Sequence, residues 1–234
     1  MGQRNGKQNQ KFSIIIPTLW KSNLTYSLID YLNASDFVDE IILIQNVATA
    51  AGKALTLNFK KVKLIQPKNN LYVNASWNLG VAEAKNEFIG LLNDDILINK
   101  PDQLLKEISR QLETVNLIGV DPRSYEPFVS EFSITPGSAI GNYWGCAIFI
   151  KKSHYVYIPE DMKIHFGDDW LCIHVGAPYK FIYPIILEKS KSSDVEDYCS
   201  IIREDRISYN RHIEFIEVGA SFDCSLRTLT HKPT

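Results

Sequence analysis

The chain has 234 residues, of which 45% are hydrophobic and 22% charged, enough to bury one large core. Lys and Arg number 25 against 27 Asp and Glu, a formal net charge of -2, so no global basic field directs the chain to nucleic acid and any phosphate must be gripped locally. No apolar run approaches the ~18 residues of a membrane span and the start is polar, which argues against a transmembrane segment or signal peptide, while the four cysteines (Cys146, Cys172, Cys199, Cys224) form no Cys-x-x-Cys pair, as suits a reducing cytoplasm.

Residues 1–11 are expected as a disordered tail ahead of one continuous domain over 12–234. Phe12 to Pro17 is a β-branched run stopped by proline, a central strand followed by a loop. Leu24 to Leu32 carries apolar residues at helical spacing, and Ile41 to Ile44 reads as a second buried strand. A third, Val62 to Ile65, precedes the polar loop Pro67 to Asn70, and Asn74 to Lys85 is the next helix. It leads into Phe88-Ile-Gly-Leu-Leu-Asn-Asp-Asp95, an apolar strand that ends on adjacent carboxylates. Alternating units of this length predict an α/β fold with a parallel sheet and right-handed crossovers.

Ligands of open α/β sheets collect at the carboxyl ends of such strands, which is where Asp94 and Asp95 stand. Hard oxygen ligands suit Mg²⁺ or Mn²⁺ bridging phosphates. The same Asn93-Asp94-Asp95 also reads as a turn that merely ends the strand. Downstream, Pro101 to Thr114 places Leu104, Leu105, Ile108 and Leu112 on one helical face, and Leu117 to Val120 is a strand. Residues 121–142, holding Pro122, Pro127, Pro136, Gly137 and Gly141, read as a long irregular connection. Trp144 to Lys151 and Phe181 to Leu187 are predicted strands. Asp194 to Phe215 is a charged helix or helix pair, whose Arg203, Glu204, Asp205, Arg206 and Arg211 read as a solvated face.

In this order the motifs resemble those of the family 2 glycosyltransferases, inverting enzymes of the nucleotide-diphospho-sugar transferase fold called GT-A. Ser13 to Thr18 matches that family's first strand and nucleotide-contacting loop, which implies that Pro17, Thr18 and Trp20 meet the sugar donor, although a Trp after Leu19 reads equally as core. Asn74, Asn78 and Gly80 match its Asn-x-x-x-Asn-x-Gly helix. The two asparagines, one turn apart, would cradle the donor or bind backbone locally. Asn93-Asp94-Asp95 takes the place of the Asp-x-Asp element, with Asn93 and Asp94 on the donor and Asp95 on Mn²⁺ or Mg²⁺. Gly145 to Ile150 looks like the acceptor-side strand. Gly167-Asp168-Asp169-Trp170 looks like the acidic motif that supplies the catalytic base, Asp169 or Asp168, and reads equally as a helix cap. Asn46 aligns with the family's Asp-Asn pair, Gln45 replacing the acid. Glu188 stands where the family often has a metal-ligating His.

The resemblance implies a Rossmann-like GT-A fold, a mostly parallel central sheet flanked by helices with a C-terminal helical segment. Residues 12–120 would form the nucleotide-sugar-binding half, and 121–234 the acceptor-side half. The implied activity is metal-assisted, inverting transfer of a hexose or deoxyhexose from a nucleotide-diphosphate donor to a hydroxyl of a glycan or glycoconjugate. The implied location is the cytoplasm, or the periphery of a membrane that carries the acceptor. Asn93 and Gln45 leave open a non-catalytic module that binds nucleotide-sugar. A sugar-phosphate nucleotidyltransferase is opposed by the absence of glycine from Pro17 to Asn23, and a dinucleotide dehydrogenase by the absence of Gly-x-Gly-x-x-Gly after a strand.

Overall fold

The computed structural model describes residues 10–49, 51–137, 144–188 and 198–213; residues 1–9 of the expected tail and Cys224 lie outside them. Gln10 and Lys11, assigned to that tail, are held: Gln10 Nε2 donates to Glu113 Oε1 at 2.7 Å, and Lys11 Nζ donates to the Asp36 carbonyl.

Strand β1 (Phe12–Thr18) is buried at all seven positions, as a strand covered on both faces must be. Helix α1 (Thr25–Ala34) buries Thr25, Leu28, Ile29 and Leu32, a single stripe at helical spacing. There follow β2 (Val38–Gln45), α2 (Ala51–Asn58), β3 (Val62–Ile65), α3 (Asn74–Glu83) and β4 (Phe88–Leu92). Helix α2 is an element that the apolar periodicity does not announce. The remaining elements are β5 (Ile96–Leu97), α4 (Pro101–Gln111), β6 (Leu117–Val120), β7 (Ser133–Pro136), β8 (Ala147–Lys151), α5 (Gly167–Val175), β9 (Tyr179–Ile182), β10 (Ile186–Leu187) and α6 (Tyr198–Ile213).

The described strands form an eight-stranded sheet in the order β3-β2-β1-β4-β8-β6-β9-β7, with a small sheet of β10 and β5 beside it. The first four are mutually parallel, with Ile14 opposite Ile41 on one side and Gly90 on the other. Beyond β4 the sense changes. Strand β8 runs antiparallel to both β4 and β6, β9 returns parallel to β6, and β7 closes the edge antiparallel to β9. The expected strand at Phe181 to Leu187 is therefore two strands in two sheets, interrupted at Tyr183–Ile185 around a proline. The expected strand at Trp144 opens instead with a 3-10 turn over Trp144–Cys146. The long connection also holds a 3-10 turn at Pro122–Tyr125 and the edge strand β7.

Two apolar cores flank the sheet. Ile14 and Ile16 join Leu28, Ile29, Leu104 and Leu105 on one face, and Ile15 joins Trp77, Val81 and Leu171 on the other, as alternation along a strand requires. Helix α3 lies so close to β1 that a Cβ on Gly80 would sit 2.3 Å from Ile15 Cγ2. Gly80 thus sets the depth at which α3 docks. No helix among the described residues is long and apolar enough to cross a membrane.

Candidate functional site

The parallel half of the sheet delivers its carboxyl ends to an open cleft. Its walls are Pro17, Thr18, Leu19 and Lys21 from the end of β1, Asn46 after β2, Asn70, Tyr72 and Val73 leading into α3, Asn93, Asp94 and Asp95 after β4, and Ile164. A cleft at the ends of β1 and β4 is where the fold predicts a ligand.

Thr18 sets one carboxylate. It is 2% exposed, donates its hydroxyl to Asp94 Oδ2 at 2.5 Å and accepts the Trp20 N–H at 2.9 Å. The Thr25 hydroxyl adds a bond to the Asp94 carbonyl at 3.2 Å. Burial pushes the Asp94 carboxyl above its ordinary value, and the Thr18 hydroxyl only partly offsets it. Asp95 is 4% exposed, and its carbonyl accepts the Glu188 N–H at 2.8 Å. Near it lie Tyr125, from the long connection, and Cys146, at the start of the acceptor-side motif. Burial, then the Cys146 thiol and the Asp95 charge, push the Tyr125 hydroxyl far above its usual value.

Several expected ligand contacts meet a different geometry. Trp20 sits in the left-handed region at φ 59 and donates its indole N–H to Gln45 Oε1 at 3.0 Å, off the cleft wall. Gln45 in turn donates to the Thr49 carbonyl and to Gln66 Oε1, so the side chain in the family's acidic position bonds to the protein itself. Asn46 lines the cleft, yet its amide donates to the Tyr72 carbonyl and Ser76 Oγ while its Oδ1 accepts the Leu71 N–H, each at 3.0 Å. Its work is to fasten the loop ahead of α3. Asn74 is fully buried and donates to the Met162 and His165 carbonyls, both at 3.1 Å. Asn78 donates to the Ile158 carbonyl and accepts from the Ile158 N–H and the Tyr155 hydroxyl. Neither asparagine is on the cleft wall, and neither caps its own backbone: both tie α3 to the segment 155–165, some 77 to 91 residues away in sequence.

The Glu188 carboxylate accepts from Ser22 Oγ at 2.6 Å and from the Asn23 N–H at 2.9 Å. It ties the end of β10 to the turn that opens α1, where a helix N-terminus favours negative charge. Among the described residues no three His, Cys, Asp or Glu side chains gather to hold a metal. Mg²⁺ and similar cations commonly use one or two carboxylates and complete their shell with phosphate oxygens and water. The hard carboxylates of Asp94 and Asp95, both on the cleft wall, fit that kind of site.

The acidic motif opens α5. Asp168 is half-buried and its Oδ1 accepts the Asp169 N–H at 3.1 Å, whereas Asp169 is 1% exposed. The Asp168 carboxylate abuts Gly145, where a Cβ would lie 2.7 Å from Oδ2. The next residue, Cys146, accepts the Asn93 N–H at 2.9 Å on its carbonyl. This chain of contacts links the acidic pair to the tip of β4 through the residues that lead into β8.

The sequence model described as Glycosyl transferase family 2 matches residues 13–181. Among solved structures, S. aureus TarS 1–349 is similar at TM-score 0.56 and 14% identity over 94% of this chain and 75% of that one. The same protein in complex with UDP-GlcNAc gives 0.59 and 15%, over 92% and 69%. The mannosyltransferase PcManGT from Pyrobaculum calidifontis, in complex with GDP-Man and Mn²⁺, gives 0.55 and 12%, over 76% and 55%. The chain spans 46% of the longer TarS chain. No curated protein matches it. At these identities the structural likeness shows the fold, which is GT-A.

Proposed function

The chain belongs to glycosyl transferase family 2, and from that premise we propose that it moves a sugar from a nucleotide-diphosphate donor to a hydroxyl of a glycan or glycoconjugate, with inversion. The observation that carries this reading is the pair Asp94 and Asp95 on the wall of the cleft where β1 and β4 end. Pro17, Thr18 and the loop held by Asn46 form the donor wall. Asp95 and Asp94 would hold Mn²⁺ or Mg²⁺, which supplies positive charge to the departing diphosphate. That PcManGT is in complex with both GDP-Man and Mn²⁺ supports a metal here.

Inversion needs a base opposite the leaving group to take the acceptor hydroxyl's proton. The motif assigns this to Asp169, buried in the first turn of α5, where the helix dipole stabilises its charge. Asp168 is the alternative, favoured by its greater exposure and its place against Gly145. Single Asn variants separate the two: loss of one base lowers turnover by about 10²–10⁴-fold with nucleotide affinity retained, and the residue whose loss does this is the base.

A second reading, a sugar-nucleotide-binding module without turnover, is favoured by Asn93 and Gln45 in positions the family fills with acids. Titration with UDP and GDP, with and without Mn²⁺, and turnover of UDP-GlcNAc and GDP-Man distinguish the readings. Metal-dependent binding with transfer or hydrolysis supports the enzyme, and metal-dependent binding without turnover of any sugar donor supports the module. In either case Asp95→Asn is expected to weaken Mn²⁺-dependent diphosphate binding by about tenfold or more, ~1.4 kcal/mol. Undiminished binding would remove Asp95 from the metal.

A further inference from the structure

We propose that Asp205 is a positioning residue: from α6 it holds the strap 163–166 that presents the Asp168–Asp169 pair. The inference rests on the transferase reading for what the pair does, and on geometry alone for how the pair is held.

Asp205 is fully buried. Its Oδ1 accepts the Lys163 N–H at 2.7 Å, and its Oδ2 accepts those of Ile164 at 2.9 Å and His165 at 2.8 Å. Three consecutive backbone amides converge on one carboxylate about forty residues away in sequence. An anion in such a nest of N–H groups satisfies donors that burial would otherwise leave costly, through charge-assisted bonds. The rest of the same helix face serves the same segment. The Tyr198 ring meets His165 edge-on at 5.4 Å, and the Tyr209 ring stacks on Phe166 at 5.0 Å. Phe166 takes the left-handed conformation at φ 64, and its carbonyl accepts the Trp170 N–H at 2.8 Å, forming the first turn of α5. From the other side the Lys163 carbonyl accepts the Val73 and Asn74 N–H groups, both at 3.0 Å. Gly167 packs so tightly on Asn74 that a Cβ would lie 2.1 Å from its Oδ1. Strap and acidic pair are thus continuous, and Ile164 within the strap lines the cleft.

The test uses Asp205→Asn in the full chain. An asparagine offers one acceptor oxygen and turns an N–H toward donors. Amide hydrogen exchange, Mn²⁺-dependent UDP and GDP affinity, and turnover of UDP-GlcNAc and GDP-Man are measured. The expected result is about tenfold faster exchange across both the strap and residues 168–170, with the β1–β4 amides unchanged. Turnover falls by about tenfold or more while nucleotide affinity stays within about threefold, and Asp205→Glu recovers part of the loss. Faster exchange confined to 163–165 with undiminished turnover overturns the proposal, as does an equal rise throughout the sheet. If Asp205→Asn does not fold, Tyr209→Leu, which removes the stack on Phe166, is held to the same two outcomes. If the parent protein neither binds a nucleoside diphosphate nor turns over a sugar donor, the transferase reading fails while the exchange data still decide how the pair is held.

Discussion

Asp94 and Asp95 are sequence neighbours with unlike surroundings: one carboxylate is met by two threonine hydroxyls, the other is enclosed near a half-buried tyrosine and a buried thiol. Burial raises the Asp94 carboxyl. A carboxyl raised by folding contributes stability below its unfolded pKa and loses it as pH climbs through the folded value. Asp94→Asn, which can still accept from Thr18, is therefore expected to gain melting temperature over the parent as pH rises from about 4 to neutrality, while losing metal-dependent binding. Melting curves that stay parallel over that range would place the carboxylate in water. Polar residues were the least legible part of the site. Asn74, Asn78 and Asn46 carry the composition of a ligand-binding face, yet their amides grip backbone, because a side chain that satisfies a buried loop has the same chemistry as one that satisfies a ligand. Asp205 shows the converse, a charge in a polar helix that reads as solvated until the tertiary fold brings three amides to it.

At the scale of elements, the docking of α3 on β1 decides how the cleft is floored. Because a Cβ on Gly80 would overlap Ile15 Cγ2, Gly80→Ala is expected to cost about 1–3 kcal/mol despite the better helix propensity of alanine. Urea unfolding measures this, and combining it with Ile15→Ala, which removes the obstructing atom, should give a coupling of opposite sign. Additive losses would mean that the helix simply moves. The repeating strand–helix units were legible here because β1, β2 and β4 are built on the apolar runs Ile14 to Ile16, Ile41 to Ile44 and Phe88 to Leu92, and α1 and α4 carry clean apolar stripes. Helix α2, the split at Tyr183–Ile185 and the antiparallel β8 were not. Strand direction leaves no mark on a buried apolar run, since Ala147–Ile150 is buried in either sense.

For the molecule as a whole, the two acidic sites come from opposite ends of the chain's topology: Asp94 and Asp95 from the parallel half, Asp168 and Asp169 from beyond the antiparallel turn at β8. A ligand that binds only the folded state stabilises it by about 2.7 kcal/mol at a concentration 100 times its Kd. UDP or GDP with Mn²⁺ should accordingly raise the melting temperature, and the nucleotide alone should do so far less. Equal shifts with and without the cation would separate diphosphate binding from the metal. The sequence by itself determined the α/β class, the parallel first half and the acidic tip of β4, because hydrophobic period and strand-end chemistry are local properties. Only the tertiary structure decided which polar side chains face the cleft, that Glu188 ties β10 to α1, and that α6 carries the strap beneath the acidic pair. Those outcomes depend on which distant backbone groups burial leaves in need of a partner.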